Sequence, residues 1–225
     1  MQGVNFGTLL IVFAIILVSM MLHELAHGFV AYLLGDDTAK TEGRLTLNPL
    51  KHLDPILSVI MPLLLFISGG PIFGGAKPVP VDSRNLRYGV WGMALVAIAG
   101  PLTNFLIAFV AFMVGMLTGV TVFDGGALMY YVGDFWGLLL VNIVYVNLGF
   151  GVFNLIPIPP LDGSRILYAL APDQVRQVME GMERWGILLV MILVVVGTSL
   201  IGGIMQGAMS GILEGFDWVA RLFGR

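Results

Sequence analysis

The chain has 225 residues, 58% of them hydrophobic and only 11% charged, and its mean hydropathy of +0.95 describes a polypeptide made for lipid. Its net charge is -3 and its basic residues are scattered singly, so it offers no basic stripe to nucleic acid. It contains no cysteine, which removes disulfides and a thiol nucleophile together.

In chain order, residues 1–22 carry no charge, no basic leader and no small-residue cleavage site, so they read as a retained membrane helix rather than a signal peptide. That run ends in "MLHELAHGFV" (21–30), which introduces His23, Glu24 and His27. Next come "GRLTLNPL" (43–50) and, further on, "KPVPV" (77–81), short alternating segments beside turn residues that read as membrane-associated β-strands. Between them, the apolar part of 55–76 is Ile56–Ile67. It contains Pro62 and stops at Gly69-Gly70-Pro71, so it is too short to cross and reads as re-entrant or half-inserted over 55–68. The uncharged stretches 88–123, 135–161 and 185–213 each reach the roughly 20 residues a helical crossing needs. With the first they make four firm spans. At the end, Ile212, Phe216, Val219 and Phe223 recur at helical spacing opposite Glu214, Asp217 and Arg221, which predicts an amphipathic interfacial helix over 207–225. The expected fold is an all-α polytopic membrane protein, with a core over 1–206 and this helix after it. No repeat, low-complexity tract or soluble domain interrupts it.

If 55–68 does not cross, regions 36–87 and 162–184 share one side. They hold Lys40, Arg44, Lys51, Lys77, Arg84, Arg87, Arg165, Arg176 and Arg184, against Arg221 and Arg225 opposite. The excess places them in the cytoplasm.

His23, Glu24 and His27 are the only Asp, Glu, His, Lys or Arg residues between Met1 and Asp36. On a helix, residues four apart share a face, so His23 and His27 can converge on one metal ion while Glu24 serves a metal-activated water as general base. Polar groups at membrane depth are costly and functional by default, which favours a metal site over a structural hydrogen-bond cluster. A catalytic zinc takes three protein ligands and keeps one position open. His52, in "NPLKHLDPIL", reads better as a surface histidine near the headgroups. Asp162, in "NLIPIPPLDGS", is the stronger third ligand. Pro157, Pro159 and Pro160 must unwind the preceding span, and irregular backbone at that depth is tolerated only where it lines a cavity or is buried. Topology gives the same answer. The histidines lie roughly 10 Å from the cytoplasmic end of their helix, so Asp162 reaches them only across an even number of intervening crossings. The spans at 88–123 and 135–161 supply two.

"HELAH", "GRLTLNPLKHLDPI", "AKPVPVDSRNLR", "ALVAIAGPLTNFLIA" and "FNLIPIPPLDGSRIL", in that order, resemble the site-2 protease family of intramembrane zinc metalloproteases, in its compact prokaryotic form without PDZ or CBS domains. The resemblance implies Zn2+ held by His23, His27 and Asp162, with Glu24 activating the water. It also implies a transmembrane protein substrate cut within or near its membrane segment, and a multi-pass enzyme of the prokaryotic cell membrane whose active site opens to the cytoplasm. Asn104 and Asn154 match family positions with polar residues near the site. Hydrogen bonding to substrate or an oxyanion and simple helix-to-helix bonding are equally open for them. Segments 43–50 and 77–81 either pair with an unwound substrate or brace the membrane surface.

Two other classes fit less well. A metal transporter needs ligands on several spans, yet 88–123 and 185–213 carry no charged residue. An inactive client-binding homologue does not need Glu24.

Overall fold

The computed structural model of the chain describes residues 6–54, 77–131, 133–196 and 198–224. The segment 55–68, expected to be re-entrant, lies outside these residues.

Helix α1 (Phe6–Leu33) is 28 residues long, about 42 Å at 1.5 Å per residue, so it can span the hydrocarbon and emerge on one side. Leu9, Leu10, Phe13, Val18 and Phe29 are exposed, as lipid-facing residues should be. The buried stripe repeats every four residues, as Ile15, Ser19, His23, His27 and Ala31. The histidines thus lie on the face that α1 turns towards the rest of the bundle.

The chain then passes a one-turn helix, α2 (Thr38–Thr41), and a 3-10 turn at Pro49–Lys51 capped by Asn48. The segments 43–50 and 77–81 contain no strand, contrary to the alternation of their side chains. Their backbone groups are engaged elsewhere. Pro78 and Pro80 have no N–H to give, the Val79 N–H goes to Glu24, and the Lys77 and Pro78 carbonyls accept from the Arg44 guanidinium. Asp36 clamps this layer to the end of α1. It is fully buried, and its carboxylate accepts from the Thr38 N–H and hydroxyl, the Asp82 N–H and the Asn85 amide.

Helix α3 (Val90–Thr118) is central. Its buried positions include Val96, Gly100, Asn104, Ala108 and Phe112, another four-residue repeat in which small residues let neighbouring backbones approach. It ends at Gly119 in the left-handed conformation. There follows a hairpin of β1 (Thr121–Asp124) and β2 (Ala127–Tyr130), antiparallel with Thr121 opposite Tyr130. The two-residue Gly125-Gly126 turn has positive φ at both positions, as the turn that matches strand twist requires. The 88–123 stretch therefore ends as a helix at Thr118, and its last residues form a strand. Leu128 of β2 packs with Phe112, Val141 and Val144 in the main apolar cluster.

Helix α4 (Phe135–Asn154), capped by Asp134, returns across the bundle. It stops where the prolines begin, and after an irregular turn α5 (Asp162–Leu170) starts with Asp162 in its first turn. Only glycine fits next. A Cβ at Gly163 would lie 2.1 Å from the Leu155 carbonyl oxygen, so the start of α5 is pressed against the end of α4. Helix α6 (Asp173–Glu183) is tied to α5 by the Arg165–Glu183 ion pair and by the Tyr168 hydroxyl donating to Glu180.

The stretch expected as a fourth span falls on α7 (Gly186–Val196) and α8 (Thr198–Leu222), with residue 197 outside the described residues. Among the described residues, three helices are long and apolar enough to cross a membrane, those of α1, α3 and α4. The first half of α8 is diluted by Gly202, Gly203, Gln206, Gly207 and Ser210. The later part of α8 buries Leu213, Asp217 and Ala220, with Asp217 paired to Arg221 at 2.7 Å. Its packed face therefore includes an acidic residue that the amphipathic reading put outside.

Candidate metal centre

The bare Nε2 atoms of His23 and His27 face each other at 3.0 Å, with their rings nearly perpendicular. Helix α5 brings Asp162 to the same point, its Oδ2 lying 3.1 Å from His23 Nε2 and 3.4 Å from His27 Nε2. All three residues are mostly buried, and their candidate ligand atoms lie within 4.8 Å of one another. The end of α4 thus meets the inner part of α1, as the parity of crossings requires.

The protons can be assigned from the other side of each ring. His23 Nδ1 donates to the Asn104 amide oxygen at 2.6 Å, and His27 Nδ1 donates to the Val96 carbonyl at 2.7 Å. Both acceptors can only accept, so each neutral imidazole carries its proton on Nδ1 and points an unprotonated Nε2 inward. Asp162 Oδ2 is buried and receives no hydrogen bond. Three candidate ligand atoms therefore converge on one point, the donor arrangement that a bound cation would take up.

Helix α3 forms the roof. A Cβ on Gly100 would come within 2.5 Å of His23 Cε1 and of His27 Nε2. The glycine is required by this close approach to the imidazoles.

Glu24, next to His23, turns towards the loop layer, where its Oε2 accepts from the Val79 N–H at 2.8 Å. Val79 itself is seated in a notch on α1, since a Cβ at Gly28 would lie 2.8 Å from Val79 Cγ1 and 2.7 Å from Leu45 Cδ2.

Asn104 is fully buried behind His23. Its second amide atom, Nδ2, donates to Asn147 Oδ1 at 2.8 Å, and Asn147 Nδ2 donates to Ser19 Oγ and to the Ile143 carbonyl. Asn154, half-buried near the end of α4, donates to the Phe150 carbonyl one turn back in its own helix. His52 is not a surface residue: it is 2% exposed and belongs to the loop layer. Its Nε2 donates to the Thr46 carbonyl, and its own carbonyl accepts from the Lys77 N–H. The first bond holds the imidazole against the 44–52 loop, and His52 is not among the residues that gather at the metal cluster.

Sequence reasoning missed Ser19, Asn147, Gly100, the Val96 carbonyl and the Val79 N–H. For Ser19 and Asn147 a signal existed. Ser19 continues the His23–His27 spacing one turn earlier, and Asn147 is an amide in the middle of an uncharged span, where a polar group is costly. Backbone groups leave no such mark.

Comparison with known proteins gives a consistent picture. The model of peptidase family M50 matches residues 132–197, which include Asp162. The protein named "Putative zinc metalloprotease YwhC" of Bacillus subtilis is 37% identical over 210 residues, covering 90% of this chain and 89% of its own. A protein of Mycolicibacterium smegmatis whose name differs only in ending in Rip2 is 33% identical over 84% of this chain and 68% of its own. A solved structure titled "Site-2 Protease from Methanocaldococcus jannaschii" aligns over 96% of this chain and 78% of its own, at a TM-score of 0.44 and 23% identity. That last likeness is too distant to carry an argument.

Proposed function

The chain belongs to peptidase family M50, the site-2 protease family of zinc metalloproteases, and from that premise we propose that it hydrolyses peptide bonds within or near the membrane segments of membrane proteins. The observation that carries this reading is the convergence of His23 Nε2, His27 Nε2 and Asp162 Oδ2 within the helix bundle, with the Nδ1 of each imidazole held by a partner outside the cluster. Two imidazoles and one carboxylate are the donor set of a catalytic zinc site that keeps a fourth position open. They fit Zn2+ as its three protein ligands.

When bound there, zinc polarises a carbonyl as a Lewis acid and lowers the pKa of water to about 7. The rest is the work of side chains. Glu24 is the general base. With Oε2 held by the Val79 N–H, Oε1 is the atom that takes the proton from the attacking water and passes it to the leaving amine. Asn104 acts on His23 rather than on substrate in this reading, because both polar atoms of its amide are committed and none of its surface is exposed. Asn154 keeps both roles open.

The basic residues gathered in 36–87 and 162–184 support a site opening to the cytoplasm, from which water reaches it. The test is Glu24→Gln. It should keep the metal and cut a membrane-spanning reporter at least about a thousandfold more slowly, since the variant loses its proton acceptor. An active variant, or a wild-type chain that moved zinc across vesicles without cutting, would sink this reading.

A further inference from the structure

Asn147 has no contact with the metal cluster, yet the polarity of its amide decides which nitrogen of His23 is available to a metal. The sequence of forced orientations begins at a backbone group. The Ile143 carbonyl can only accept, and it receives Asn147 Nδ2 at 2.8 Å, with Ser19 Oγ receiving the same nitrogen at 3.0 Å. Asn147 must therefore present Oδ1 to α3. That oxygen can only accept, so Asn104 must turn Nδ2 towards it, at 2.8 Å. Asn104 Oδ1 is then left facing His23 Nδ1 at 2.6 Å, which keeps the proton on Nδ1 and Nε2 bare. Asn104 and Asn147 are both fully buried, so no water competes for these bonds.

We propose that Asn147 is a positioning residue for the metal site. Through Asn104 it fixes the tautomer and ring orientation of His23, so that α4, which carries no metal ligand itself, sets the metal affinity of a ligand on α1. The inference rests on His23, His27 and Asp162 holding zinc. It goes beyond that assignment by naming a residue two hydrogen bonds from the ligand.

The test is the zinc affinity of the full chain in detergent, measured by competition with a chromophoric chelator and needing no substrate. Asn147→Leu should fold, because Asn147 borders an apolar cavity of about 340 Å³ between α1, α3 and α4 that leaves room for the branched side chain. It should weaken zinc binding about tenfold, the lower range for outer partners of a ligating histidine. Asn104→Leu should weaken it by 10- to 100-fold. The double variant should bind no worse than Asn104→Leu alone, because both act through one nitrogen of His23.

Asn147→Asp, held neutral by its full burial, keeps an oxygen acceptor facing Asn104 and an O–H that can still serve the Ile143 carbonyl. It should stay within about threefold of wild type, and it remains informative if the leucine variant does not fold. Wild-type affinity in Asn147→Leu, an equal loss in Asn147→Asp, or costs that sum in the double variant would each overturn the proposal. A wild-type chain that takes up no zinc would instead remove the metal-site reading on which the proposal rests.

Discussion

On the bilayer side of the site, His23 is backed by side-chain amides from two other spans, Asn104 on α3 and Asn147 on α4. On the loop side, Glu24 is backed by a backbone N–H from Val79, in a loop that Asp36 clamps to α1. The difference follows from what each environment supplies. Among packed helices most backbone groups are already paired within their helix, so apart from the Val96 carbonyl that takes His27 Nδ1, orientation comes from side chains placed there at a desolvation cost. The backbone of the loop layer is not tied up in a helix, and Pro78 and Pro80 leave Val79 as the one N–H donor of 78–80. The bilayer flank should therefore govern metal binding and the loop flank should govern the base.

The strongest way to break this division is at the roof. Gly100→Ala puts a methyl within 2.5 Å of both imidazoles, so one of them must leave its position. Zinc affinity should fall about 100-fold or more while helix content stays constant, as chelator competition and circular dichroism would show. Unchanged zinc binding would mean that the imidazoles are not held against α3.

The loop flank should respond in the opposite sense. Asp36→Ala leaves the Thr38 hydroxyl, the Asp82 N–H and the Asn85 amide without their acceptor. It should destabilise the loop layer by about 2–4 kcal/mol, read as faster proteolysis between 77 and 89. Cleavage of a reporter should slow while zinc affinity stays at the wild-type level. A parallel loss of zinc would join the two flanks into one unit.

The same clamp gives a pH dependence with a defined sign. Burial raises the Asp36 pKa, but the bonds from Thr38, Asp82 and Asn85 outweigh it and hold the carboxyl below its ordinary value of 3.8. A lowered carboxylate pKa stabilises the folded layer above the ordinary value, and that stabilisation is lost as pH falls through the folded one. Protection of 77–89 from an acid-active protease should decline over that range in the wild type. In Asp36→Asn, which cannot titrate, this decline should be absent.

How far the sequence disclosed these flanks depends on which kind of atom does the work. His23, Glu24, His27 and Asp162 stand out because ionisable groups are scarce in the membrane-depth stretches, and the lipid environment makes each one expensive. The pairing of His27 with Asp162 was also legible, since two long uncharged stretches return the chain to the same side provided 55–68, outside the described residues, does not cross. The hairpin over 121–130 was not, because four-residue strands are too short for alternation to register and Thr121-Val122-Phe123 extends the apolar run of α3. For the reverse reason the fourth expected span is not among the described helices apolar enough to cross: the glycines of α8 lower its apolarity without adding a charge, which a count of charges over 185–213 does not register. Strands at 43–50 and 77–81 were inferred from side chains, whereas their backbone bonds went to Glu24, Arg44 and Thr46.

The smallest effect separates the two histidines themselves. His23 depends on a side chain, Asn104, while His27 depends on the Val96 carbonyl, which every residue possesses. Val96→Ala keeps that carbonyl. It removes two methyl groups from a position 3% exposed beside Ala31 and Leu86, so about 1–2 kcal/mol of stability should be lost. Zinc affinity should nevertheless change by less than about twofold, against the 10- to 100-fold expected for Asn104→Leu. The two substitutions therefore dissociate stability from metal binding in opposite directions. A large loss of zinc in Val96→Ala would mean that the packing of α3 near Val96, rather than its carbonyl, orients His27. The two ligands would then be held by the same kind of contact after all.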